Sequence, residues 1–450
     1  MRTRNKDYDS TRRCVEMAFR QFVCCLAVCM AVLPVTASER PVLGGYVRGQ
    51  AWYAHQASTF NALYGECALK VSGHTGAVFY ASDVRARDGL FFNERQTLLE
   101  LKEAYVGYRT SWFETSLGKQ IYGWGRVEGF NPTNNLTVYD YFRLSDQPDD
   151  QKLGVFQWLL SVRPIEASTL TLVWQPLFTP SIYRYELFDM GQGVVFTDPV
   201  KPKPSLGQGN LSLRWNVDVP AVGFSLSYFN GYDPYHGIDL TGFVLQPTLQ
   251  LTYQPAYFRK QSIGADLALP IGSFIIRAEA AYDLTSNDAG REFLPKSDLN
   301  AVVGLETVLG GITTLVQYQA TVTSNWEAPV MPVLTNPSDP AEQYAFAYAM
   351  ARYETAKFNR KIMHQEKASQ HALMLSLQRS LAFETLSLGV TGLYDLTTRE
   401  YIVRPELAWS WTDALTFNVC GVWMNGPARS LYDYAGKVLA GLGVGLTVTF

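Results

Sequence analysis

Beyond its N-terminus the sequence has no apolar run near the roughly 18 residues that a membrane-spanning helix needs. Charge is also sparse: 18% of residues are charged and the formal net charge is −3. A nucleic-acid binder would show a basic excess or stripe, so that class is excluded. Of the six cysteines, Cys14, Cys24, Cys25 and Cys29 fall in the first 37 residues, leaving Cys67 and Cys420. Two such distant cysteines do not make a disulfide framework. No serine sits in a G-x-S-x-G elbow, and no histidine pair has H-E-x-x-H spacing. His55, His74, His236, His364 and His371 all fall in expected turns or near strand ends, and Asp233 near His236 reads as a loop pairing. Phosphate loops, dinucleotide fingerprints and metal clusters are missing too. An enzyme is therefore not expected, nor a catalytic site, a metal or a cofactor. A soluble chain of 450 residues would usually split into domains, yet no linker or shift in composition marks a boundary.

What is present begins with a targeting segment. Arg2, Arg4, Lys6, Arg12, Arg13 and Arg20 make a basic region, and Phe22 to Val35 an apolar stretch too short to span a bilayer. Val35-Thr36-Ala37 offers small residues for cleavage, so residues 1–37 read as a signal peptide and 38–450 as one exported domain. Met17 is an alternative start that would leave a conventional leader. Leu26-Ala27-Val28-Cys29 is a partial lipobox, but Val28 is too bulky before the cysteine.

The dominant signal is alternation with period two, the mark of strands with one apolar face. At the C-terminus Leu442, Val444, Leu446, Val448 and Phe450 alternate with Gly or Thr. The same pattern recurs in 211–218, 274–283 and 401–411. Strand lengths suit a tilted membrane span, and short connections alternate with long ones. Trp158, Trp174, Tyr228, Trp409, Trp411 and Trp423 lie near strand ends, where interfacial girdles belong. The expected fold is all-β, a transmembrane antiparallel barrel of about 18 strands, with 16 as the lower alternative. The strands are 42–54, 58–72, 75–86, 96–109, 112–123, 153–163, 168–175, 210–218, 221–230, 248–269, 273–284, 296–308, 312–321, 370–379, 384–395, 400–411, 415–425 and 438–450. Short turns are expected near Gly73-His74, Thr110-Ser111, Val219-Pro220, Gly272, Gly310, Leu381 and Asp413, all on the periplasmic side. The segment 248–269 reads as one long strand or as two, and two would break the even count. Cys67 and Cys420 fall on opposite faces of the wall. Ser338-Asp339-Pro340-Ala341-Glu342 reads as a helix start inside the long external loop 322–369.

Inward-facing charges are the candidate pore lining: Arg48, Glu66, Lys70, Lys102, Lys119, Arg214, Arg277, Glu279, Asp298, Glu306, Arg404 and Glu406. Charges on a pore wall bias which solutes pass. Both signs occur, so no strong ion preference follows. Arg277 with Glu279 and Arg404 with Glu406 sit two apart on one face, placed to pair across strands. A lumen closed by its own ion pairs is the competing picture.

The terminal Phe450, the alternating apolar residues before it, Val448 among them, and Gly445 resemble the C-terminal signal read by the barrel assembly machinery. Gly443 stands where a polar residue is usual. Leu117-Gly118-Lys119-Gln120-Ile121-Tyr122-Gly123-Trp124-Gly125, then Phe130-Asn131-Pro132 and Asp140-Tyr141, resembles a porin-like family of Gram-negative outer-membrane barrels with a G-[RK]-Q-x3-W-G motif before an Asn-Pro loop. The run from Gly264-Ala265-Asp266 through Arg277-Ala278-Glu279-Ala280-Ala281-Tyr282 is similar to that family's middle hairpin. The resemblance touches about a third of the chain; it implies a porin-like barrel and no particular substrate. In this reading Trp124 marks the outer interface, and loop 124–152 folds inward or merely steadies a turn. The expected role is an outer-membrane channel for small solutes through a mixed-charge lumen, its partners being outer-membrane lipid and the assembly machinery. The alternative is a loop-plugged surface receptor, adhesin or structural protein.

Overall fold

The computed structural model describes residues 41–203, 205–286 and 291–450. The expected signal peptide lies outside them. Eighteen antiparallel strands form one sheet that closes on itself. In chain order they are β1 (Val42–Ala54), β2 (Thr59–Thr75), β3 (Val78–Phe91), β4 (Glu94–Arg109), β5 (Phe113–Gln120), β6 (Val155–Ile165), β7 (Ser168–Gln175), β8 (Asn210–Val219) and β9 (Val222–Tyr232). The second half comprises β10 (Arg259–Ile271), β11 (Phe274–Thr285), β12 (Asp298–Leu309), β13 (Ile312–Thr323), β14 (Ser369–Leu381), β15 (Leu386–Asp395), β16 (Tyr401–Ser410), β17 (Leu415–Asn425) and β18 (Gly441–Thr449). Each pairs with its sequence neighbour, and β1 pairs with β18 from Tyr46↔Thr449 to Ala54↔Gly441. Phe450 completes the seam: its N–H donates to the Gly45 carbonyl at 3.0 Å, and its carbonyl accepts the Gly45 N–H at 2.9 Å. Closure leaves no open strand edge, which a sheet facing lipid cannot tolerate.

Alternation sorts the side chains. Leu442, Val444, Leu446 and Val448 are exposed on the outer face, while the inner residues of β1 and β2, from Arg48 and Gln50 to Tyr64 and Glu66, are buried. Trp409, Trp411 and Trp423 are exposed on the outside, and the Trp409 and Trp411 rings stack 5.4 Å apart near one rim. Trp158 and Trp174 oppose each other on the ladder between β6 and β7. Cys67 opposes the outward Val47, whereas Cys420 opposes the inward Glu406, so the two free thiols stand on opposite faces of the wall.

The rim where β1 starts and β18 ends carries only short turns. Two-residue turns there need a left-handed backbone, which Gly310 (φ 58°) and Gly311 (φ 77°) supply without steric cost. The expected turn at Gly73-His74 lies inside β2 instead, because that strand continues to Thr75. The opposite rim carries the long connections, but also short ones at 55–58, 92–93 and 396–400. The ambiguous 248–269 is two strands, and parity survives because only the second joins the wall. Gln250–Ala256 pairs with Gly237–Val244 and Val194–Phe196 in a separate three-stranded sheet over the mouth.

The expected helix is α1 (Pro340–Ile362), with the Asp339 side chain accepting the Ala341 N–H and Pro340 in the first turn. It lies against the mouth sheet and not down the lumen. Phe243 packs edge-on to Tyr344 and Tyr348, and the Asn359 amide bonds both the N–H and the carbonyl of Ile238, at 2.7 and 2.8 Å. A second helix, α2 (Leu431–Leu439), was not foreseen. These elements share an apolar core with Phe142, Tyr185, Phe188, Phe358 and Met424, which makes a folded cap on that rim.

Candidate functional site: the lumen and its inward-folded segment

The connection between β5 and β6, residues 121–154, leaves the rim and folds into the lumen. Its start is a knot built by the Gly-Trp-Gly and Asn-Pro residues. Trp124 is buried with Leu136, Leu159 and Val173, and its indole N–H donates to the Thr133 carbonyl at 2.8 Å. The Asn131 amide donates to the Trp124 carbonyl at 2.7 Å. Gly125 (φ 115°) lies where any Cβ would overlap the Asn131 side chain, so the glycine is needed for conformation and for space alike. Trp124 is thus no marker of the membrane interface. Its ring packs inside, with the Arg214 guanidinium 5.8 Å from its centre.

Two charged clusters hold the segment. The first joins its far end to β1–β4. Arg48 pairs with Glu66 at 2.8 Å and with Asp150, and reaches Asp146 at 3.5 Å. Arg85 binds Asp150 at 2.6 Å and Asp83 at 2.8 Å. Glu66 also accepts from Arg87 at 2.6 Å and Arg143 at 3.3 Å, while Lys102 donates to the backbone carbonyls of Asp149 and Asp150 at 3.2 and 2.9 Å. Burial alone would raise the Asp150 carboxyl, but Arg48, Arg143, the Ser145 hydroxyl and Arg85 outweigh it and hold it well below the carboxylate range. Asp146 goes the other way. Its loss of water and the Asp150 charge exceed the help from Arg48 and the Asn418 amide, so its carboxyl is pushed up. The second cluster joins the near end to β8–β11. Arg126 pairs with Asp266 and Asp218, each at 2.7 Å, and Arg214 shares Asp266 at 2.9 Å. Glu279 accepts the N–H groups of Arg126 and Val127 and the Thr133 hydroxyl.

The expected lining residues divide accordingly. Arg48, Glu66, Lys102, Arg214 and Glu279 are inward and engaged by the segment or its partners. Arg277 is inward too, but it pairs with Glu306 at 2.8 Å rather than with Glu279, which the segment occupies. Asp298 is buried near the mouth and accepts from Gln365 at 2.7 Å. Lys70 lies 4.0 Å from Asp83 with its amine half exposed. Arg404 and Glu406 form no ion pair with each other or with any other described residue. Lys119 is a correction. Ser116 and Gln120 are buried and hydrogen-bonded to each other inside, so the alternation puts Lys119 on the side of the exposed Leu117, opposite Ala104 and Phe156. Gly445 gains a second role, since a Cβ there would overlap the Asp146 carboxylate.

Sequence reasoning missed Arg85 and Arg87, Asp83, Asp266, and the segment's own Arg126, Arg143, Asp146 and Asp150. The Arg-Ala-Arg alternation at 85–87 was a usable signal; the loop residues carried none. Beneath the segment a chamber of about 470 Å³ opens against β3–β8, with Glu103, Tyr105, Arg109, Glu114, Arg163 and Arg214 in its wall.

No family model matches the sequence, and no curated protein sequence does either. The fold is shared with outer-membrane proteins of Pseudomonas aeruginosa. The crystal structure of OccK5 (OpdH) superposes with a TM-score of 0.51 at 12% identity, covering 91% of this chain and 97% of that one. The outer-membrane protein OpdK gives 0.50 at 10% identity over 91% and 98%. OpdK with vanillate gives 0.52 at 10% identity over the same shares. At such identities the likeness is one of fold. By fold the chain is a closed 18-stranded antiparallel barrel of the kind these outer-membrane proteins share.

Proposed function

We propose that the chain is an outer-membrane channel for small polar solutes, narrowed by the inward 121–154 segment to a path along β15–β17. One observation carries this reading. The segment is bound to β1–β4 and to β8–β11, whereas among the described residues no side chain of β15 or β16 hydrogen-bonds it. On β17 its one hydrogen bond among the described residues is from Asn418 to Asp146 at 2.8 Å, and Met424, Val422 and Cys420 join the apolar clusters of its Phe142 and Leu144. A bore of 18 strands is wide enough for an aqueous lumen, and a strut across part of it leaves a narrower passage. Membership of the G-[RK]-Q-x3-W-G family and recognition of Phe450 by the assembly machinery belong to the same proposal. The test is single-channel conductance of the refolded protein in a planar bilayer. Stable ohmic steps are expected, several-fold larger once 124–152 is replaced by a short Gly-Ser turn. The aromatic cap over the mouth favours a second reading, a plugged surface protein. Absence of current from a barrel with heat-modifiable mobility would select it.

A further inference from the structure

Most inward charges on this wall are neutralised in place: Arg48 by Glu66, Arg214 by Asp266, Arg277 by Glu306 and Lys260 by Asp233 and Asp283. Arg404 and Glu406 are an exception, on the side where no wall side chain of β15 or β16 hydrogen-bonds the segment. They point inward from β16 two residues apart, about 7 Å along the strand at the usual rise. Both are partly exposed, and neither side chain has a hydrogen-bond or ion-pair partner among the described residues. Pro405 between them faces outward. Their ladder neighbours are small or neutral. Thr391 opposes Arg404, and Gly389 opposes Glu406 on β15; Cys420 opposes Glu406 on β17. A Cβ at Gly389 would just touch Gln378 and Glu406, so this glycine keeps the wall open beside the carboxylate. Asn418, the next inward residue before Cys420 on β17, donates to Asp146 at 2.8 Å, and Cys420 packs against the cluster that holds Leu144, so the pair stands at the height of the segment's Asp146 end.

We propose that Arg404 and Glu406 form a selectivity element for amphoteric solutes, small molecules that carry an ammonium and a carboxylate close together. This rests on the channel reading above. A solute of one sign meets one attractive and one repulsive group at nearly equal distance, and the two effects cancel. A zwitterion aligned with the strand meets two attractive ones, its carboxylate toward Arg404 and its ammonium toward Glu406, through charge-assisted hydrogen bonds. Because both groups face water and lack fixed partners, the contact replaces hydration without breaking an existing ion pair. It is also weak enough to release, as conduction requires.

The test is entry into proteoliposomes at neutral pH of three solutes of similar size: serine, lactate and ethanolamine. Serine is expected to enter at least threefold faster than the other two. Arg404→Gln should shift the preference to ethanolamine and Glu406→Gln to lactate. The charge-exchanged R404E/E406R variant remains amphoteric and should keep the serine preference, which also controls for misfolding of either single variant. Equal entry of the three solutes through a wild-type barrel that passes potassium chloride would overturn this inference alone. So would a serine preference that survives in R404Q/E406Q. No potassium chloride current from a folded wild-type barrel would overturn the channel reading together with it.

Discussion

Replacing Asp150 with alanine should loosen the segment that narrows the lumen while leaving the barrel intact. Asp150 bridges Arg48 and Arg85, whose side chains are only 3% and 8% exposed. Removing one partner of a buried ion pair costs about 3–5 kcal/mol. The lower end applies, because Arg48 keeps Glu66 and Arg85 keeps Asp83, and Lys102 still holds the backbone of residues 149 and 150. About 3 kcal/mol corresponds to roughly a hundredfold rise in the ratio of released to docked segment. In single-channel records this should appear as brief excursions to a larger conductance. The adjacent Asp149 supplies the control: its side chain is 86% exposed and among the described residues pairs only with Lys152, so D149A should behave as wild type. Identical, quiet records from D150A and wild type would refute the clasp.

Two further outcomes follow from local geometry. Gly445→Ala would press a methyl group into the Asp146 carboxylate. It should alter conductance without reducing the yield of heat-modifiable barrel, whereas lost assembly would return Gly445 to a purely signalling role. His236 is buried beside Tyr183, Tyr185 and Tyr257, and neither ring nitrogen has a hydrogen-bond partner among the described residues. Burial lowers its pKa to about 4. The neutral imidazole therefore contributes full stability above pH 6.5, and the cap loses it as pH falls from 6.5 toward 4, by about 3 kcal/mol in all. The protection factors of the cap amides, referred to the intrinsic exchange rate at each pH, should fall across that window in wild type and much less in His236→Phe.

The wall was legible because its physics is local. Lipid outside and water inside impose a period of two, so the reading of 42–54, 168–175 and 415–425 matches β1, β7 and β17. Errors arose where that rule stopped applying. Gln250–Ala256 alternates like a wall strand but pairs above the mouth, and alternation cannot distinguish one sheet from another. Lys119 was judged by its charge, although the parity of Ser116 and Gln120 sends it outward. Trp124 was judged by the habit of tryptophan at interfaces, yet its motif closes a buried knot. The clasp was the least legible part. Asp146 and Asp150 acquire their meaning from Arg48 and Arg85, which lie 98 and 65 residues upstream respectively, through a loop whose path no period encodes. The Asp339-Pro340 start fixed the helix, but only contacts such as Phe243 with Tyr344 decide that it lies over the mouth.

Gln120 and Val155, the residues flanking the inward segment, are ladder partners on β5 and β6. The excursion therefore leaves and rejoins the wall at adjacent points, and its length and sequence can change without shifting any strand register. Bore and scaffold are separable inheritances. One cylinder can acquire a different passage by rewriting a single hairpin insert, provided each new insert finds counter-charges for the arginines that now grip Asp150.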